Sequence, residues 1–214
     1  MWIYEKRLLY PVNITKTDAR IAKIIATQYG GPDGEIGASM RYLSQRFTAP
    51  NRVCMAVLTD VATEELGHLE MVSTIVHQLT ANLTVEEIEN QGFADYYVDH
   101  AVGIWPQSAG GIPFNSCEFQ SKGDPITDMF ESMAAEQKAR STYDNILRVV
   151  RDIPRLADPI RFLRAREVVH FQRFGEALQS LQDQLNSKNF YQMNPSFDIG
   201  LTRESCDCQG ECVQ

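Results

Sequence analysis

Residues 64–69 read Glu-Glu-Leu-Gly-His-Leu, and residues 165–170 read Ala-Arg-Glu-Val-Val-His. Both contain Glu-x-x-His, as Glu65 with His68 and as Glu167 with His170. The chain has only four histidines, so half of them stand three residues after a glutamate. Fifteen of 214 residues are Glu, which gives each histidine about a 7% chance of such a partner. One match is weak; two, a hundred residues apart, ask for a common cause.

Residues three apart share one face of a helix, so each pair can point at one place. Working outward, Glu35 stands 30 residues before Glu65, and Glu136 stands 31 before Glu167. Each upstream glutamate is followed seven residues later by a tyrosine, Tyr42 and Tyr143. The two halves therefore repeat as Glu-x6-Tyr and then Glu-x2-His. The segment 61–76 places Glu65 and His68 beside Leu69 and Val72 on an apolar stripe, which argues against a solvated face.

Four long segments carry a helical pattern. The first spans about 18–47 and is broken by Gly-Gly-Pro-Asp-Gly just before Glu35, where glycines and a proline must kink or interrupt it. The second spans about 50–79, with Val57, Val61, Leu69, Val72, Val76 and Leu79 on one face. The third begins near Asp124, a capping residue followed by Pro125, and runs to about Val150. Residues 152–159 read as a link, and the fourth spans about 159–185. Between the second and third lie residues 80–123, with a capping box at Thr84 and a Gly/Pro-rich stretch at 103–115 that reads as loop. Four helices with one long central crossover predict an all-α, ferritin-like bundle over 1–185 with an extended polar tail over 186–214. That tail carries Cys206, Cys208 and Cys212, suited to cross-links between chains or to a soft metal.

Glutamates from two helices and Glu-x-x-His from two others form the ligand set of dinuclear carboxylate sites in such bundles. The carboxylates offset the charge of two divalent ions, a bridging carboxylate spaces them, and each imidazole gives a neutral nitrogen. The tyrosines lie two turns along the ligand face, within reach of a carboxylate on the facing helix. Glu64, Glu70, His77 and His100 read as surface or structural groups, and Trp105 as a packing anchor.

Composition sets outer bounds. The 24.2 kDa chain has 20 basic and 28 acidic side chains, a net charge of −8 and a pI near 5.0. This acidity argues against a nucleic-acid partner. No run approaches the ~20 apolar residues of a membrane span. The first residues lack the apolar core of a signal peptide, which predicts synthesis in the cytoplasm. Five cysteines, an odd count in a chain expected to lack a signal, argue against an internal disulfide framework.

Residues 28–43, 59–72, 123–140 and 161–178 together resemble the manganese catalase family, most closely its compact spore-coat, CotJC-like branch. The resemblance covers about 1–185. It implies two manganese ions, with iron the alternative metal, disproportionation of hydrogen peroxide to water and oxygen, and a homohexamer associated with other spore-coat proteins. It further implies that Glu35 and His68 bind one metal, that Glu136 and His170 bind the other, and that Glu65 bridges them. Spacing alone makes Glu167 a sixth ligand. The resemblance instead makes it the proton-transfer base beside metal-bound solvent, with Tyr42 supporting it. One position departs: larger catalases carry an arginine where this chain has Ala135, which tells against high turnover. Two other classes of reading fit the same ligands, a structural coat protein with slight activity and a di-iron carboxylate oxidase.

Overall fold

The computed structural model describes residues 4, 5 and 7–188, with side chains up to Gln184 at the C-terminal end. Its helices are α1 (Ala19–Ile25), α2 (Thr27–Gly30), α3 (Glu35–Gln45), α4 (Arg52–Thr80), α5 (Val85–Asn90), α6 (Ala94–His100), α7 (Pro125–Val150) and α8 (Pro154–Lys188). Among the described residues there is no strand, only one isolated bridge between Gln107 and Pro113. Among the described residues no helix is long and apolar enough to cross a membrane.

The expected first helix is three pieces. Asp18 caps α1 by accepting from the Ile21 amide, and Gly31–Gly34 break the chain before α3. Glu35 consequently becomes the first residue of α3, where the free amides of a helix start favour a carboxylate. Asn51 caps α4 through the Cys54 amide, and Asp124 caps α7 through the Thr127 amide with Pro125 at the first helical position. Thr84 and Glu87 complete the capping box of α5.

The start of α8 corrects the sequence reading. The helix begins at Pro154, five residues before the expected start, and the link shrinks to residues 151–153. Pro154 occupies the first position, where no amide donor is needed. Pro159 forfeits a hydrogen bond inside the helix, which burial of Leu156, Ala157 and Ile160 offsets. The Ile153 carbonyl closes the turn by accepting from the Leu156 and Ala157 amides at 2.9 and 2.8 Å. The helix also continues past 185, to Lys188. The remaining tail, with its three cysteines, lies outside the described residues.

Helix α3 packs along α4, α7 packs along α8, and α4 meets α8 between the pairs. The crossover of residues 81–124 joins the two pairs, as ferritin-like topology requires. The core has two main parts. One gathers Ile25, Val72, Ile75, Leu79, Ile146, Val150 and Ile160; the other gathers Leu58, Val61, Met129, Phe174, Leu178 and Leu181. Along α4, α7 and α8, residues 65, 68, 136, 167 and 170 fall between these apolar blocks. Polar side chains in the middle of a bundle must find partners there or bind something.

Candidate metal centre

All six side chains singled out by the repeat are buried and converge. Glu35, Glu136 and Glu167 are 1–2% exposed, and Glu65, His68 and His170 are fully enclosed. Glu35 comes from α3, Glu65 and His68 from α4, Glu136 from α7, and Glu167 and His170 from α8.

Glu65 stands at the centre. One carboxylate oxygen lies 2.6 Å from Nδ1 of His68, and the other lies 2.7 Å from Nδ1 of His170. Glu35 approaches His68 Nδ1 at 3.8 Å, and Glu136 approaches His170 Nδ1 at 3.5 Å. The imidazole rings lie nearly parallel, with centroids 5.4 Å apart. Glu167 Oε1 is 3.9 Å from His68 Nδ1. Ligand atoms of Glu65, His68, Glu167 and His170 all lie within 4.8 Å of one another, a group able to hold a metal ion.

The tyrosines act across helices. Tyr42 on α3 donates to Glu136 on α7, and Tyr143 on α7 donates to Glu35 on α3. Each upstream glutamate is thus held by the tyrosine of the other half, which the paired Glu-x6-Tyr spacing had suggested.

Several donor atoms remain without hydrogen-bond partners despite burial: Glu65 Oε1, His68 Nε2, Glu136 Oε2, Glu167 Oε1 and both nitrogens of His170. Glu65 Oε1 and His170 Nδ1 are close yet misaligned for a hydrogen bond. Buried lone pairs that crowd together without bonding one another suit cations placed among them. Carboxylates and imidazoles are donors for divalent ions of intermediate softness, and the residues present fit a dinuclear centre.

Electrostatics agree. Burial raises Glu35 well above the ordinary carboxylate range, and the Glu65 charge adds to the rise. Burial and the neighbouring carboxylates do the same to Glu167, and burial with Glu65 raises Glu136. Burial alone would raise Glu65 too, but the imidazoles of His170 and His68 hold it well below the usual range. For the histidines, burial opposes the charged form, yet the surrounding carboxylates push His68 up to about 10 and His170 up to about 12. Without metal, protons carry the positive charge that the cluster demands.

Sequence reasoning missed Glu64. Far from being a solvated surface group, it is half-buried and presents its carboxylate to Nε2 of His68 at 3.6 Å and Nε2 of His170 at 3.3 Å. Arg166 anchors it with two bonds, at 2.6 and 3.2 Å. It sits behind both rings, close enough for its charge to favour their protonated forms. Its spacing of four from His68 was the available signal. Glu70 is also half-buried and accepts from Tyr4. Arg166 and Arg164 pair across helices, with Glu64 on α4 and Asp144 on α7, whereas Arg161 pairs with Asp158 on its own helix. Trp105 is half-exposed and stacks on His100, with centroids 4.7 Å apart.

A helical bundle with four buried glutamates and two histidines drawn from four helices belongs to the class of dinuclear carboxylate proteins. Comparison with known proteins narrows the class. The chain belongs to the family described as manganese containing catalase, whose profile matches residues 1–194. It is 45% identical over 191 residues to Protein CotJC of Bacillus subtilis (strain 168), spanning 89% of this chain and 100% of that protein. It is 29% identical over 192 residues to a probable manganese catalase of Clostridium acetobutylicum, spanning 89% of this chain and 85% of that one. The crystal structure of KatB, a manganese catalase from Anabaena, superposes with a TM-score of 0.78 at 30% identity, covering 85% of this chain and 81% of KatB.

Proposed function

We propose that this protein disproportionates hydrogen peroxide to water and oxygen at a buried pair of manganese ions, and that it serves in the spore coat. One observation carries the reading: Glu65 offers one oxygen to the neighbourhood of each histidine, at 2.6 and 2.7 Å, from the middle of the cluster. In this assignment Glu65 is shared by the two ions, Glu35 and His68 serve one, and Glu136 and His170 serve the other. Two bound redox ions supply one electron change each, which matches the two-electron demand of each half-reaction.

The chain's own residues do the rest. Tyr42 and Tyr143 hold the terminal carboxylates in place, and Glu64, anchored by Arg166, sets a negative charge behind both imidazoles. Glu167 is the proton carrier. Its Oε1 is buried without a hydrogen-bond partner and lies 3.9 Å from His68 Nδ1, where a carboxyl can give or take a proton. A narrow cleft runs alongside these groups, with a volume of about 10 Å³ between Tyr42, Ala135, Glu136 and Glu167. That is roughly the room one water needs, so it favours a substrate of peroxide size over any organic molecule.

The coat location rests on the likeness to CotJC across that protein's whole length. Ala135 favours a second reading, a coat component with slight activity. Assembly as a homohexamer with other coat proteins belongs to the same proposal. Elemental analysis together with oxygen release on adding peroxide tests it. Bound manganese with rapid oxygen evolution supports the catalase; bound metal without oxygen supports the structural role. Iron, with peroxide-dependent oxidation, supports a di-iron oxidase, because manganese is the weaker binder at any such site.

A further inference from the structure

Arg41 lies on α3, one residue before Tyr42, and is 2% exposed. Its Nη2 donates to the carbonyl of Glu118 at 3.0 Å, which ties it to the short turn at Ser116–Phe119 in the crossover. Its Nε has no hydrogen-bond partner, and among the described residues no carboxylate forms an ion pair with it. A guanidinium is always charged, and one buried without a matching anion is costly. Such a group persists where a partner arrives later.

The same arginine lines the narrow cleft beside Glu136 and Glu167. Ala135, contributed by α7, is small enough to leave the cleft open at this point. A guanidinium with a spare N–H, beside a space for one water-sized species, suits a small monoanion.

We propose that Arg41 binds a small monoanion, the hydroperoxide ion or an inorganic substitute such as fluoride, in this cleft at the edge of the metal centre. The inference rests on the dinuclear reading, because bound divalent ions offset the carboxylates that would otherwise repel an anion. Arg41 is then a positioning residue: it holds one end of the ligand while the crossover holds Arg41.

The test is fluoride binding by titration calorimetry to the metal-loaded protein and to its Arg41→Gln and Arg41→Lys variants, with metal content measured in each. Wild-type protein should bind fluoride. Arg41→Gln should bind it about tenfold or more weakly, and Arg41→Lys, which keeps the charge but not the fork, about threefold more weakly. Metal content should not change. In peroxide kinetics the Gln variant should raise KM about tenfold with kcat held within about threefold. Absence of fluoride binding to the wild type overturns the proposal, as does unchanged affinity in either folded variant. A protein that binds fluoride through Arg41 but releases no oxygen would defeat the catalase reading and leave this one standing. Oxygen release with fluoride affinity indifferent to Arg41 would do the opposite.

Discussion

Removing one phenol oxygen from Tyr143 takes away the donor that holds Glu35, and the same change at Tyr42 frees Glu136. Both tyrosines are fully buried, so the carboxylates would find no water to replace the lost bond. Tyr143→Phe and Tyr42→Phe should each weaken metal binding by about 10- to 100-fold while the fold survives. Competition against a chelator reads this directly; unchanged affinity in both variants would refute the cross-helix role. At this scale the sequence was informative wherever spacing encoded direction. Glu65, His68, Glu167 and His170 were visible because residues three apart share a face. Glu64 was not, since it adjoins Glu65 and points elsewhere on the helix. Only the packing of α8 turns that direction inward, through Arg166 and both imidazoles. Arg41 stayed hidden for a similar reason: its burial depends on the crossover folding over it.

At the scale of elements, the break between α2 and α3 positions Glu35, and the crossover packs against it. A Cβ on Gly30 would come within 2.3 Å of the backbone of Pro106 and Gln107. Neither main chain can move aside cheaply. Gly30→Ala should therefore destabilise the protein by about 2–3 kcal/mol, in the range of overpacked sites. Gly37, also buried in this region, meets nothing closer than a Phe114 ring carbon at 3.8 Å. Gly37→Ala should be neutral or stabilising by up to about 1 kcal/mol through helix propensity. Thermal melts of the pair check both; equal melting temperatures would contradict the packing account. Caps at Thr84 and Asp124 were readable, because each is a local bond between a side chain and a nearby amide. The start of α8 was misread because two prolines suggested a link. Tertiary burial of Leu156 and Ile160 overrode that local signal.

For the molecule as a whole, the buried cluster ties stability to pH and metal. The folded-state pKa values of His68 and His170 are raised, so their stabilisation is fully present below the unfolded value near 6.5. It is lost as pH rises towards about 10 for His68 and about 12 for His170. Glu35, Glu136 and Glu167 are also raised, which costs stability above the unfolded value of 4.5. The two histidine contributions make the metal-free protein weaker from about pH 6.5 to pH 9. Metal binding must expel the same protons, so its affinity rises over that interval. The melting-temperature gain on adding manganese to chelator-treated protein should therefore grow with pH. A gain that is constant or shrinks would contradict the electrostatic account.

The most direct test of the central claim, that one carboxylate joins a dinuclear centre, is the number of metal ions per chain in wild-type protein and in Glu65→Ala. We expect two in the wild type and the loss of both in the variant, because each ion depends on the shared oxygen pair. Two ions retained without Glu65, or a single ion in the wild type, would contradict it.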